Sequence, residues 1–223
     1  LDDSQAANLA AGVRTSPLIG ATTIELAVAQ HLLLAPAAME AWRKQAYNDL
    51  DADGGGEYPT PAQLAGRDPT YGQGKGRYVL EAGKVHLWDL GGGESRLELG
   101  PYLIAGFVPD GKGGALDASA RNAAASAGDA THAPAAARHY AIYAWPADPA
   151  SPLRSFAVTT GGVVSTARAA GPPTWSDAFG TKAGTADQVF GGPLAWAPIL
   201  PADIPAARKA EIDKLLCEWL GAR

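Results

Sequence analysis

Two kinds of apolar period divide this chain, and their order constrains its fold more than any other feature. Ile24, Val28, Leu32, Ala35, Met39, Trp42 and Ala46 recur at steps of three and four, the stripe of an amphipathic helix. Pro36 falls inside that stripe and must either kink the helix or restart it as a first-turn residue. Further on, Tyr78-Val79-Leu80 and Val85-His86-Leu87-Trp88 flank Glu81-Ala82-Gly83-Lys84 as a hairpin. Another strand is expected over 102–108, ended by Pro109-Asp110-Gly111. An aromatic strand over 138–146 stops at Pro146, and a second hairpin joins 153–158 to 162–167 across Thr159-Thr160-Gly161. A helical period returns over 204–220, with Pro205 early, Ile212, Leu215, Leu216 and Trp219 on one face, and Gly221 beyond it. This order predicts an α+β fold, with an N-terminal amphipathic helix packed on an antiparallel sheet of hairpins, long loops and a C-terminal helix. No βαβ rhythm is present, which argues against a dinucleotide-binding fold.

The body is expected over residues 21–170, preceded by an arm or ragged helix over 1–20 that is small and polar. Residues 110–137 are mostly Ala, Gly, Ser and Asp and can bury little, so they read as a surface-loop insertion. Residues 171–201 are rich in Pro, Gly and Trp and read as a covering loop, which with the last helix makes a third region, 171–223. With only four Phe and one Met, the six Trp and seven Tyr must supply much of the large packing surface. The net charge of −5, without any run of Lys and Arg, argues against nucleic acid or an anionic membrane as a partner. The longest apolar stretch, 24–39, is interrupted by Glu25, Gln30, His31 and Pro36 and is shorter than the ~20 residues of a membrane span. Cys217 is the sole cysteine, so no intramolecular disulfide forms; beside Leu215, Leu216 and Trp219 it reads as a buried small hydrophobe. A chain beginning at Leu1 fits a processed product that has lost a secretory signal, which makes an extracytoplasmic location the expectation.

The sharpest candidate site is the acidic turn Asp49-Leu50-Asp51-Ala52-Asp53-Gly54-Gly55-Gly56-Glu57. Asp49, Asp51, Asp53 and Gly54 occupy positions one, three, five and six of a calcium loop, and Glu57 occupies position nine. A hard cation wants several oxygen ligands, and the glycine permits the bend that turns them inward. Position twelve is Thr60 where a bidentate Glu belongs, so a solvated acidic turn capping the helix stands beside the calcium reading. Two phosphate-loop lookalikes fail: in the stretch 106–113 Gly113 replaces the metal-binding Ser or Thr, and the stretch 72–76 precedes a strand rather than a helix. His31, His86, His132 and His139 form no ligand-spaced pair, and neither a Gly-x-Ser-x-Gly elbow nor a Ser-x-x-Lys occurs. Trp175, Phe179, Phe190 and Trp196 are expected in loops, where they either cover the sheet or stack on a sugar or a partner.

Taken in order, several segments resemble the soluble part of type IV pilin-like proteins of the general-secretion pseudopilin group. The resemblance runs through 46–58 with Pro61-Ala62-Gln63-Leu64-Ala65-Gly66, then Leu99-Gly100-Pro101-Tyr102-Leu103, then 140–146 and 154–164. It covers roughly residues 21–167 and implies a helix on a small antiparallel sheet, a structural role in filaments or complexes, and, loosely, calcium at Asp49, Asp51, Asp53 and Glu57. The stretch after Gly20 is too short and polar for a pilin's membrane-anchoring helix, so the resemblance implies a relative that lacks the anchor. The expected function is a non-enzymatic, extracytoplasmic structural subunit whose partners are other protein subunits. A secreted carbohydrate-binding module, and a hydrolase with carboxylates converging from loops, are the alternatives.

Overall fold

The computed structural model describes residues 15–44, 58, 86–89, 95–109, 115–117, 139–166 and 195–220. Thr22 caps the first described helix, α1 (Thr23–Leu33): its hydroxyl accepts from the Glu25 amide at 3.2 Å, while the Glu25 carboxylate accepts from the Thr22 amide at 2.8 Å. Two of the amides that a helix start leaves without partners are thereby satisfied. The chain breaks at Leu34 and restarts as α2 (Ala35–Arg43), with Pro36 in the first turn, where a missing amide hydrogen costs nothing. The single amphipathic stripe expected over 24–46 is therefore two helices. The first is buried on nearly every side, because Leu26, Ala27 and Ala29 fill the positions between the stripe residues.

Eight described strands make one antiparallel sheet: β1 (His86–Asp89), β2 (Ser95–Leu99), β3 (Tyr102–Pro109), β4 (Ala115–Asp117), β5 (Ala141–Pro146), β6 (Phe156–Thr159), β7 (Gly162–Thr166) and β8 (Trp196–Pro198). Their order is β1-β2-β3-β5-β6-β7-β8, with β4 paired to β3 beside that path. The α+β class expected from the sequence is what the structure shows, and β3, β5, β6 and β7 form the middle of the sheet. The hairpin across Thr160 and Gly161 is present, with Thr159 opposite Gly162. Of the hairpin expected around 81–84, one arm is strand β1, and residues 78–80 lie outside the described residues; β1 also pairs with β2, a strand the period did not disclose. Within 110–137 the described piece is strand β4, and within 171–201 it includes strand β8, so neither stretch is loop throughout.

Alternation assigns the two faces of the sheet. Register places Ile104, Ala144 and Phe156 side by side on one face, and these share a core with Tyr102, Val158, Leu26, Val28, Leu32 and Met39. On the other face Ala105, Tyr143 and Ala157 stand in a row and are equally buried. There Tyr143 meets Trp145 at 5.6 Å and the edge of Trp196 at 6.0 Å between ring centroids. Both faces of β5 and β6 are thus withdrawn from water, and aromatic rings supply the bulk on the second.

Two short 3₁₀ turns (Pro201–Asp203 and Ala206–Arg208) lead into α3 (Lys209–Leu220), which buries Ile212 and packs on α1. Gln30 donates to Asp213 at 2.9 Å, and Arg208 donates to the Thr23 hydroxyl. At its far end α3 lays the Trp219 indole on the β2 to β3 turn. Gly100, the first turn residue, has φ +55°, and a Cβ added there would meet the indole at 2.6 Å from Cζ2 and 2.8 Å from Cδ2. Pro101 follows, and Leu99 pairs with Tyr102 across this two-residue turn, a position where glycine fits the hairpin twist.

Candidate functional site

Glu25, in the first turn of α1, is 4 % exposed and organises the most buried charge cluster among the described residues. Its carboxylate accepts from the Thr22 amide, from the Thr22 hydroxyl at 3.0 Å and from the Arg154 amide at 2.9 Å. The Arg154 guanidinium stands 3.4 Å away and also donates to the Ile19 carbonyl at 3.0 Å. Tyr102 completes the cluster by donating to the Arg154 carbonyl at 2.8 Å. Burial, and then the negative charge of Glu25, push the Tyr102 hydroxyl well above its ordinary range. A carboxylate has about four acceptor positions, and four donors converge on this one. Its lone pairs are committed to joining the turn before α1, the helix itself and the approach to β6. That geometry builds structure and leaves no position from which Glu25 could take a substrate proton.

A second cluster lies at α2. Glu40 accepts from the Tyr58 hydroxyl and from the Arg43 guanidinium at 3.2 Å, and that guanidinium lies 5.6 Å from the centroid of the Tyr58 ring. The Tyr58 ring meets Tyr140 at 4.6 Å, so the cluster ties α2 to the residue just before β5. The Tyr58 hydroxyl bond holds the Glu40 carboxyl below the usual range, with Arg43 adding to the effect. Burial, and then the bond to Glu40, push the Tyr58 phenol up to about 12. Tyr140 is likewise raised by burial.

His31, in the last turn of α1, is 3 % exposed and its Nε2 has no hydrogen-bond partner. The carbonyl end of a helix favours an imidazolium by roughly 0.3–1 kcal/mol. Burial outweighs that and lowers the His31 pKa to about 4.

Of the residues singled out in the sequence, Asp49, Asp51, Asp53, Glu57, Trp175, Phe179 and Phe190 lie outside the described residues. Trp196 is described and corrects the expectation of a loop position. It opens strand β8, is half-buried, and belongs with Tyr143 to the aromatic layer of the sheet. His139 is half-buried with Nδ1 3.4 Å from the Thr160 hydroxyl. Cys217 is exposed, against the expectation of a buried thiol, because α3 turns Ile212 inward and carries residue 217 on the outer side. Among the described residues no group of three or more His, Cys, Asp or Glu side chains could hold a metal ion. The clusters around Glu25 and Glu40 escaped the sequence reading. Thr22-Thr23-Ile24-Glu25 ahead of an apolar run is a capping-box signature that marks the first, whereas no local spacing marks the pairing of Glu40 with Tyr58.

Comparison with protein-family models, with curated proteins and with solved structures gives no match to this chain.

Proposed function

We propose that the chain is a non-enzymatic structural subunit, a pilin-like module that docks into a larger extracytoplasmic protein assembly. One observation carries the reading: Glu25 and Glu40 each have their oxygens engaged by a donor of their own helix or its cap and by one from outside it, Arg154 and Tyr58, so the strongest polar clusters join pieces of the fold. Three large apolar side chains, Ile19, Leu34 and Leu200, are exposed at junctions between elements, where a partner could cover them. The proposed partners are other protein subunits, and no nucleic-acid role is proposed. No described helix is long and apolar enough to cross a membrane, so membrane association in this reading comes through partners. Calcium is its proposed ion, with Asp49, Asp51, Asp53 and Glu57 as ligands, and the helix cover of the sheet is proposed to be the pilin-like one.

Native mass spectrometry of the protein from its source, with calcium and with a chelator, tests this. The expected species is heavier than one 22.8 kDa copy and contains identifiable protein subunits. A bare single copy in both buffers overturns the proposal. Glycan arrays and hydrolase substrate panels then address the two alternatives.

A further inference from the structure

The junction of α1 and α2 holds a polar side chain that none of the structural clusters uses. His31 is buried in the last turn of α1 with Nε2 unpartnered, and its own carbonyl accepts the Leu34 amide at 3.2 Å, the bond that spans the break between the helices. Leu34 itself is exposed. The imidazole therefore sits inside the core directly beneath the point where the chain can bend.

We infer that His31 is an acid-sensitive lock: neutral, it seats α1 in the core, and protonated, it opens the α1–α2 junction. A proton taken from solvent by Nε2 makes an imidazolium that is buried without an acceptor. Such a group regains hydration only if the surrounding helices part. The elements packed on α1 are α3, β6 and α2. Toward α1, the 3₁₀ turn before α3 presents Arg208, and α3 presents Glu211 and Asp213, engaged with Thr23 and Gln30. Ahead of β6 stands Arg154, bonded to Glu25, and β6 itself carries no charged residue. On α2, Glu40 and Arg43 bond to each other and to Tyr58. All these groups are committed elsewhere, and burial alone disfavours the charged imidazole. The lock is independent of the proposed docking role and would operate in any setting that acidifies.

Hydrogen exchange of the whole chain, corrected for the intrinsic pH dependence, reads the opening at the Leu34 and Ala35 amides. Between pH 7 and pH 5 the opening constant is expected to rise about 20-fold beyond that of His31→Leu, which keeps an apolar side chain and removes the proton site. Equal acid responses in the two proteins overturn the lock. Should His31→Leu not fold, an NMR titration of the His31 ring in the unmodified chain decides. A midpoint well below 6.5, with helix amides losing protection as the ring titrates, supports the lock. A midpoint near 6.5, or titration with the helix amides still protected, overturns it.

Discussion

Deleting the Glu25 carboxylate strands the Arg154 guanidinium in a site with little water, and the cost of such a change comes chiefly from the charge left behind. Glu25→Met or Arg154→Met alone is expected to destabilise the fold by about 3 kcal/mol, whereas the double variant recovers a substantial part of that loss. Urea denaturation of the four proteins gives the coupling directly, and strictly additive losses would show the two charges to be independent. Tyr58 makes a separate prediction in alkali. Its folded pKa, about 12, lies above the ordinary 10, so the folded chain holds the phenolic proton more tightly. The stabilising contribution is complete below pH 10 and is lost as pH rises toward 12. Tyr58→Phe should flatten that alkaline decline in a thermal melt series. At this scale the sequence is partly legible: Thr22 and Glu25 announce each other across one helical turn. Glu25 and Arg154, in contrast, are 129 positions apart, and only the fold brings them together.

The turn between β2 and β3 and the end of α3 depend on each other through one missing side chain. Gly100→Ala must both hold φ near +55° and displace the Trp219 indole, which together are expected to cost about 3 kcal/mol. Adding Trp219→Ala should relieve the steric part, so the turn substitution costs only about 1 kcal/mol in that background. Calorimetric melting of the two pairs distinguishes this from a purely local turn effect, for which Trp219 would make no difference. Elements with a strong local period were legible in the sequence: β3, β5, the β6 to β7 hairpin and α3 all appear close to where alternation or helical spacing placed them. Those without one were not. Strand β8 is three residues long and ends in proline, too short to show alternation, and its place comes from pairing with β7. The break at Leu34 was announced by Pro36, which had to kink or restart the helix and restarts it, although apolar residues continue at helical spacing on both sides.

Across the whole molecule, the sheet is largely a meander in which chain neighbours are also spatial neighbours, apart from the excursion to β4. Its pairings are therefore mostly local, and the long separations lie in the helix contacts. Thr23 meets Arg208 across 185 positions and Gln30 meets Asp213 across 183. With Phe and Met scarce, Trp and Tyr had to supply the large packing surface, and the aromatic layer carried by Tyr143, Trp145 and Trp196 is one place where they do so. Which face each ring would take was decided by register, which alternation alone does not fix across strands. The contact between α1 and α3 has a temporal meaning. As the polypeptide is synthesised, α1 is made before the strands of the sheet and its partner helix after them. In that interval the sheet can cover one side of α1, and the side that α3 takes stays open, an apolar strip of the kind chaperones bind. The meander can zip and take up its side of α1 first, so closure of the α1–α3 pair is expected late in folding.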